Sequence, residues 1–104
     1  QGSCGIRRRI LKGGASRHYA VSQVDIRDAR AHYHNHTWEL YVIQKGRGYL
    51  ILDGEEMPVF EGDVVEIPPG VVHRAVPDPE MTVLVVMSPV NAEMHDMEYQ
   101  EGVS

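Results

Sequence analysis

Three histidines stand at alternate positions in the stretch AHYHNHTWELYVIQKG, residues 31–46: His32, His34 and His36. A carboxylate, Glu39, follows close behind. On a β-strand, residues i and i+2 point to the same face. Neighbouring imidazoles of this set can therefore share one ion, and imidazole nitrogen suits Fe, Mn, Ni, Cu or Zn. Glu39 has the opposite parity and joins them only where the chain turns or bulges first. The polar segment Asn35-His36-Thr37-Trp38 can supply that break. Beyond it Glu39, Tyr41 and Ile43 share the inward face. Two registers are open from the residues alone. One uses His32, His34 and Glu39; the other uses His34, His36 and Glu39, which leaves little chain in which to reverse parity. Another imidazole, His73, follows the turn Pro68-Pro69-Gly70 and opens a strand of its own, well placed to cross to the first group. Three neutral imidazoles and one carboxylate leave a divalent ion a positive local charge. They also leave room for water, dioxygen or an anionic substrate.

The elements that must hold these groups read as short strands. Glycines recur at Gly46, Gly54, Gly62 and Gly70, and the segments between them are rich in Val, Ile, Leu and Tyr. Turn chemistry punctuates the chain at KGRG, DGEE, FEGD, PPG and PDPE. Short strands at regular spacing with such turns predict an antiparallel all-β sandwich or barrel. Asp53-Gly54 is a hairpin signal, and Pro68 and Pro69 end the strand before them because proline cannot donate to a ladder. Strands are expected at 7–12, 19–26, 31–34, 39–45, 48–52, 57–60, 63–67, 73–76 and 82–88. Within 64–67 a buried, unpaired Glu66 would be costly, so Val65 and Ile67 are placed inside. No convincing helical period is present.

The two groups of residues resemble the two motifs of the cupin superfamily. The first, His-x-His, four residues, Glu, six residues, Gly, is matched by His32, His34, Glu39 and Gly46. The second, Gly, five residues, Pro-x-Gly, two residues, His, is matched by Gly62, Pro68, Gly70 and His73. Two departures occur at positions that are not ligands in the family pattern: Ile26 replaces a frequent glycine, and Pro77 a frequent asparagine. The resemblance implies a double-stranded β-helix (jelly-roll) barrel. It selects His32, His34, Glu39 and His73 as ligands of one divalent transition metal, Fe, Mn, Ni, Cu or Zn. It leaves His36 as a pocket or turn residue, with Tyr41, Ile43, Val65 and Ile67 as possible pocket lining. It further implies an enzyme of dioxygenase, isomerase or lyase type acting on a small polar organic molecule, with Glu39 as ligand or base. The alternative it leaves is a non-catalytic binding or sensory module for a sugar-like ligand.

Composition bounds the rest. A chain of 104 residues with 42% hydrophobic and 24% charged residues suits one globular domain. A formal charge of −5 argues against a general nucleic-acid binder. No apolar run approaches the ~18 residues of a membrane span. The basic stretch GIRRRILKGG lacks the apolar core of a signal peptide. With the single cysteine Cys4, this points to a cytoplasmic location. Residues 1–5 are read as a tag remnant and N-terminal end, 6–90 as the barrel and 91–104 as a tail. Trp38, Tyr49, Arg47 and Arg74 are secondary candidates for ligand contact, and His18 and His95 are placed on the surface. Outward apolar residues such as Leu40, Val42 and Val64 predict a homodimer.

Overall fold

The computed structural model describes residues 5–10, 18–27, 31–88 and 97–99, with the backbone alone described at 9 and 97–99. Its strands are β1 (Gly5–Arg9), β2 (Ala20–Ile26), β3 (His32–His34), β4 (Trp38–Leu52), β5 (Glu55–Phe60), β6 (Val64–Ile67), β7 (His73–Ser88) and β8 (Met97–Tyr99). No helix among the described residues is long and apolar enough to cross a membrane. Cys4 and His95 lie outside the described residues.

The frame is a pair of long antiparallel strands. β4 and β7 pair from Trp38↔Ser88 to Leu52↔His73, with register shifts between Ile43 and Lys45 and between Gly46 and Gly48. Each strand serves two layers. In the first, the order is β1-β2-β7-β4-β6, built on residues 82–87 of β7 and 38–43 of β4. In the second, it is β8-β3-β7-β4-β5, built on the other halves of the same two strands. This is the double-stranded β-helix that the sequence predicts. The core lies between the layers and includes Val24, Ile26, Tyr41, Ile43, Leu50 and Val83, all at most 1% exposed.

KGRG and PDPE, expected as turns, are bends in the middle of β4 and β7. The segments predicted at 39–45 and 48–52 are one strand, as are those at 73–76 and 82–88. Glycine is needed here because two backbones cross at close range. A Cβ at Gly46, whose φ is +75°, would run into the Glu80 carbonyl, and one at Gly48 would run into that of Val76. The bulge also moves the inward set on β4 from Glu39, Tyr41 and Ile43 to Gly48 and Leu50. Between β4 and β5 the turn is as expected: Asp53 (φ 48°) and Gly54 (φ 85°) are both left-handed, as a tight hairpin demands. The tail contributes a strand that the sequence does not announce. β8 pairs with β3, setting Tyr99 opposite His32 and Met97 opposite His34.

Candidate metal centre

β3 is short, and its period of two buries His32 and His34 on one side while Tyr33 is only half-buried. The chain then bends at Asn35 and His36 and re-enters as β4 with Glu39 buried. The bend resolves the parity conflict between the histidines and the carboxylate. His73 is the first residue of β7 and lies opposite His32 in the ladder. The second layer thus supplies three imidazoles, and the first supplies the carboxylate that faces them. One ligand atom from each of His32, His34, Glu39 and His73 falls within 4.8 Å of the others, and all four residues are buried.

The electrostatics of this cluster suit a cation. The Val71 carbonyl lies 3.0 Å from His73 Nδ1 and can only accept, so Nδ1 carries the proton. In the neutral ring the lone pair then sits on Nε2, which faces Glu39 Oε1 at 2.9 Å. His34 Nε2 lies 3.1 Å from the same oxygen. In spite of these short separations, His34 Nε2, His73 Nε2 and Glu39 Oε1 form no aligned hydrogen bond. Burial pushes the Glu39 carboxyl up, but the imidazoles of His34 and His73 more than offset this and hold it at about 2. The oxygen is therefore anionic, and it converges with the ring nitrogens of His34 and His73 in a buried site. Each orphaned buried group costs about 1–3 kcal/mol, and a divalent ion among them satisfies all at once. The N₃O donor set fits a transition metal of the Fe, Mn, Ni, Cu or Zn type without distinguishing among them.

Backbone ties hold the cluster residues from behind. Gly70 N donates to the His34 carbonyl at 2.7 Å, so the Pro68-Pro69-Gly70 turn is fastened to the strand that carries His32 and His34. Asp53 clamps the residue before His73. Its backbone N donates to the Val72 carbonyl at 2.7 Å, and its Oδ1 accepts from Val72 N at 2.9 Å. Sequence reasoning gives Asp53 a turn role only; the side chain's partner is too distant in sequence to be seen. Asp53→Ala is expected to lower metal affinity about 10–100-fold, the range for losing an outer-shell support. Asp53→Asn, which keeps an acceptor oxygen, should recover most of it, as read by metal titration.

The other candidates are placed as follows. His36 is exposed on the bend, outside the four-residue cluster. Tyr41 is buried with its ring edge-on to His73, centroids 5.9 Å apart. Ile43 and Ile67 are buried, Val65 is half-buried, and Val64 and Glu66 face out. Trp38, Arg47 and His18 are exposed, whereas Arg74 and Tyr49 are half-buried. Two buried hydroxyl residues, Ser22 and Thr37, escaped the sequence reading because neither belongs to a motif. A surface cleft of about 470 Å³ lies elsewhere, lined by residues including Asp25, Arg27, Lys45 and Glu80. Along β4, Lys45 is six residues from Glu39, roughly 20 Å, so that cleft is remote from the cluster.

Comparison with known proteins bears on this arrangement. The family described as Cupin domain matches residues 23–87. An uncharacterised protein of Methanocaldococcus jannaschii is 42% identical over 43 residues, 41% of this chain and 34% of its own length. The match thus spans about a third of that relative. A crystal structure of a protein from Planctomyces limnophilus is 29% identical with a TM-score of 0.81, covering 94% of this chain and 85% of that one. Pac13, a nucleoside dehydratase from Streptomyces, shares the fold at 18% identity and a TM-score of 0.72, covering 90% of this chain and 84% of its own.

Proposed function

This chain belongs to the cupin domain family, and on that premise we propose that it is a metal-dependent enzyme acting on a small polar organic molecule. The observation that carries the proposal is the buried cluster in which one ligand atom each from His32, His34, Glu39 and His73 lies within 4.8 Å of the others. His32, His34, Glu39 and His73 would hold one divalent transition metal. When bound, the metal supplies Lewis acidity toward a carbonyl or hydroxyl oxygen of the substrate.

Reaction type follows from what the residues can and cannot do. A carboxyl held at about 2 is a weak proton acceptor at neutral pH. We therefore assign Glu39 to holding the ion rather than to acting as base. Tyr41, Thr37 and Ser22 are buried residues of the barrel that carry hydroxyls. This set suits isomerisation or elimination at a hydroxylated carbon. The existence of a nucleoside dehydratase on the same fold supports that class by analogy of fold alone.

The test is to purify the protein without added metal or chelator and measure its metal content. It is then assayed against sugar acids, diketones, enediols and nucleosides, in air and without oxygen. The expected result is near-stoichiometric metal and turnover independent of oxygen. Turnover confined to air, with oxygen uptake, would assign a dioxygenase instead. Bound metal with no conversion across the panel would assign a binding module.

A further inference from the structure

The surface cleft at the bend of β4 and β7 is lined by charges of both signs. Asp25 of β2, Thr82 of β7 and Lys45 of β4 stand in one row across the outer face there. Arg27 lies two residues beyond Asp25 and Glu80 two before Thr82, so strand alternation sets both in the next row of the same face. Asp25, Arg27, Lys45 and Glu80 are all exposed. All four line the cleft, whose volume of about 470 Å³ lies within the range of about 300–1,000 Å³ for small-molecule sites. Among the described residues no ion pair joins any two of them; the ion pairs lie at the histidine cluster instead. Two of the four are held in place. Thr82 Oγ1 donates to Asp25 Oδ1 at 2.9 Å, and Arg27 Nη1 donates to the Ile26 carbonyl at 3.3 Å. Two cations and two carboxylates leave the cleft with no net charge. A simple anion or cation meets as much repulsion as attraction there, whereas a molecule that carries both signs satisfies both sets.

A second hollow of about 430 Å³ adjoins the cleft and shares Gly46 and Glu80 with it. Its charged lining is acidic, with Glu61, Asp78 and Glu80 against Arg47. Phe60 forms part of its wall and is 53% exposed. Carboxylates beside an open aromatic face suit a planar cation, which the acids attract and the ring can stack against. We propose that cleft and hollow together bind a free basic amino acid, with arginine the best match. Its carboxylate goes to Lys45 and Arg27, its α-ammonium to Glu80 and Asp25, and its guanidinium to Glu61 and Asp78 beside Phe60. Lysine keeps the charges but loses the planar stacking and the paired N–H donors. Glu80 lines both spaces, so it stands where the α-carbon end of the ligand meets its side chain. The site is separate from the histidine cluster and needs no metal.

The test is isothermal titration calorimetry of L-arginine into the purified full chain at low salt. The expected result is one saturable site with a Kd of about 1 mM or tighter, as suits exposed charge pairs. Agmatine lacks the carboxylate, Nα-acetyl-L-arginine lacks the ammonium and glycine lacks the side chain; each should bind at least about tenfold more weakly. Lys45→Ala and Glu80→Gln change exposed side chains and should keep the wild-type circular dichroism. Lys45→Ala should weaken L-arginine about tenfold but should not weaken agmatine, which has no carboxylate for Lys45 to hold. Glu80→Gln should weaken both. No saturation by about 20 mM L-arginine would overturn the proposal. So would agmatine binding as tightly as L-arginine, which marks general attraction of a cation to an acidic chain, or a Lys45→Ala variant with unchanged affinity for L-arginine.

Discussion

His34→Ala is expected to abolish the thermal stabilisation that divalent metal confers on the wild type. An ion that binds the folded chain alone adds RT ln(1 + [L]/Kd), about 4 kcal/mol at a thousandfold excess over Kd. In a domain of this size each kcal/mol moves Tm by about 4–8 °C. Metal should therefore raise the wild-type Tm by about 15–30 °C, and the variant by almost nothing. His34 is the informative residue because its Nε2 faces Glu39 Oε1 at 3.1 Å while its Nδ1 has no hydrogen-bond partner. Its Nε2 thus stands among the groups that an ion at the cluster would join. Without metal, Ala leaves a cavity and takes the His34 contact from Glu39, so the apo Tm should fall by several degrees. Calorimetry with and without added metal reads both quantities. A full metal-dependent rise in His34→Ala would remove this residue from the centre.

The same cluster sets an acid limit on the apo protein. The Glu39 carboxyl is lowered from 4.5 to about 2 in the folded state. Its contribution to stability is thus fully present above about 4.5 and is lost as pH falls toward 2. Glu39→Gln has no such group to protonate, so its apo stability should fall less steeply across that window.

The clustering of His32, His34 and Glu39 was legible in the sequence because strands have a period of two. His32 and His34 share a face by arithmetic, and the wrong parity of Glu39 forces a break where Asn35 and His36 do bend. The choice between the two registers came from the cupin spacing and not from the residues themselves. The long strands were not legible. A left-handed glycine serves a hairpin and a strand crossing equally well. What separates Gly46 in KGRG from Gly54 in DGEE is the Glu80 carbonyl pressed against the first and open space beside the second. Asp53 was half legible: its turn is local, but its hold on Val72 spans 19 residues. The tail stayed open between a helix, a strap over the barrel and a disordered end, because the three residues of β8 that pair with β3 are too few to show a period of two.

The crossing itself carries the second large prediction. Gly46→Ala is expected to destabilise the protein by about 3–5 kcal/mol, in the range reserved for a forced backbone displacement. Gly62→Ala is the matched control. Both glycines are left-handed, at φ +75° and +95°, but a Cβ at Gly62 meets nothing within 4 Å, whereas one at Gly46 meets the Glu80 backbone. The control should cost only the left-handed penalty of about 1–2 kcal/mol. The difference between the two variants in urea unfolding therefore measures the closeness of β4 and β7 at their bend. A carbonyl in a paired strand cannot swing away as a flexible side chain would, so relief in Gly46→Ala requires the strands to part. Glu39 lies on β4 on one side of this bend, and His73 on β7 on the other. Parting them shifts the carboxylate of one layer relative to the imidazole of the other, and metal affinity should fall in Gly46→Ala while Gly62→Ala keeps it. Equal losses of stability in the two variants would mean that the strands do not cross at this range, and that Gly46 serves only its dihedral angle.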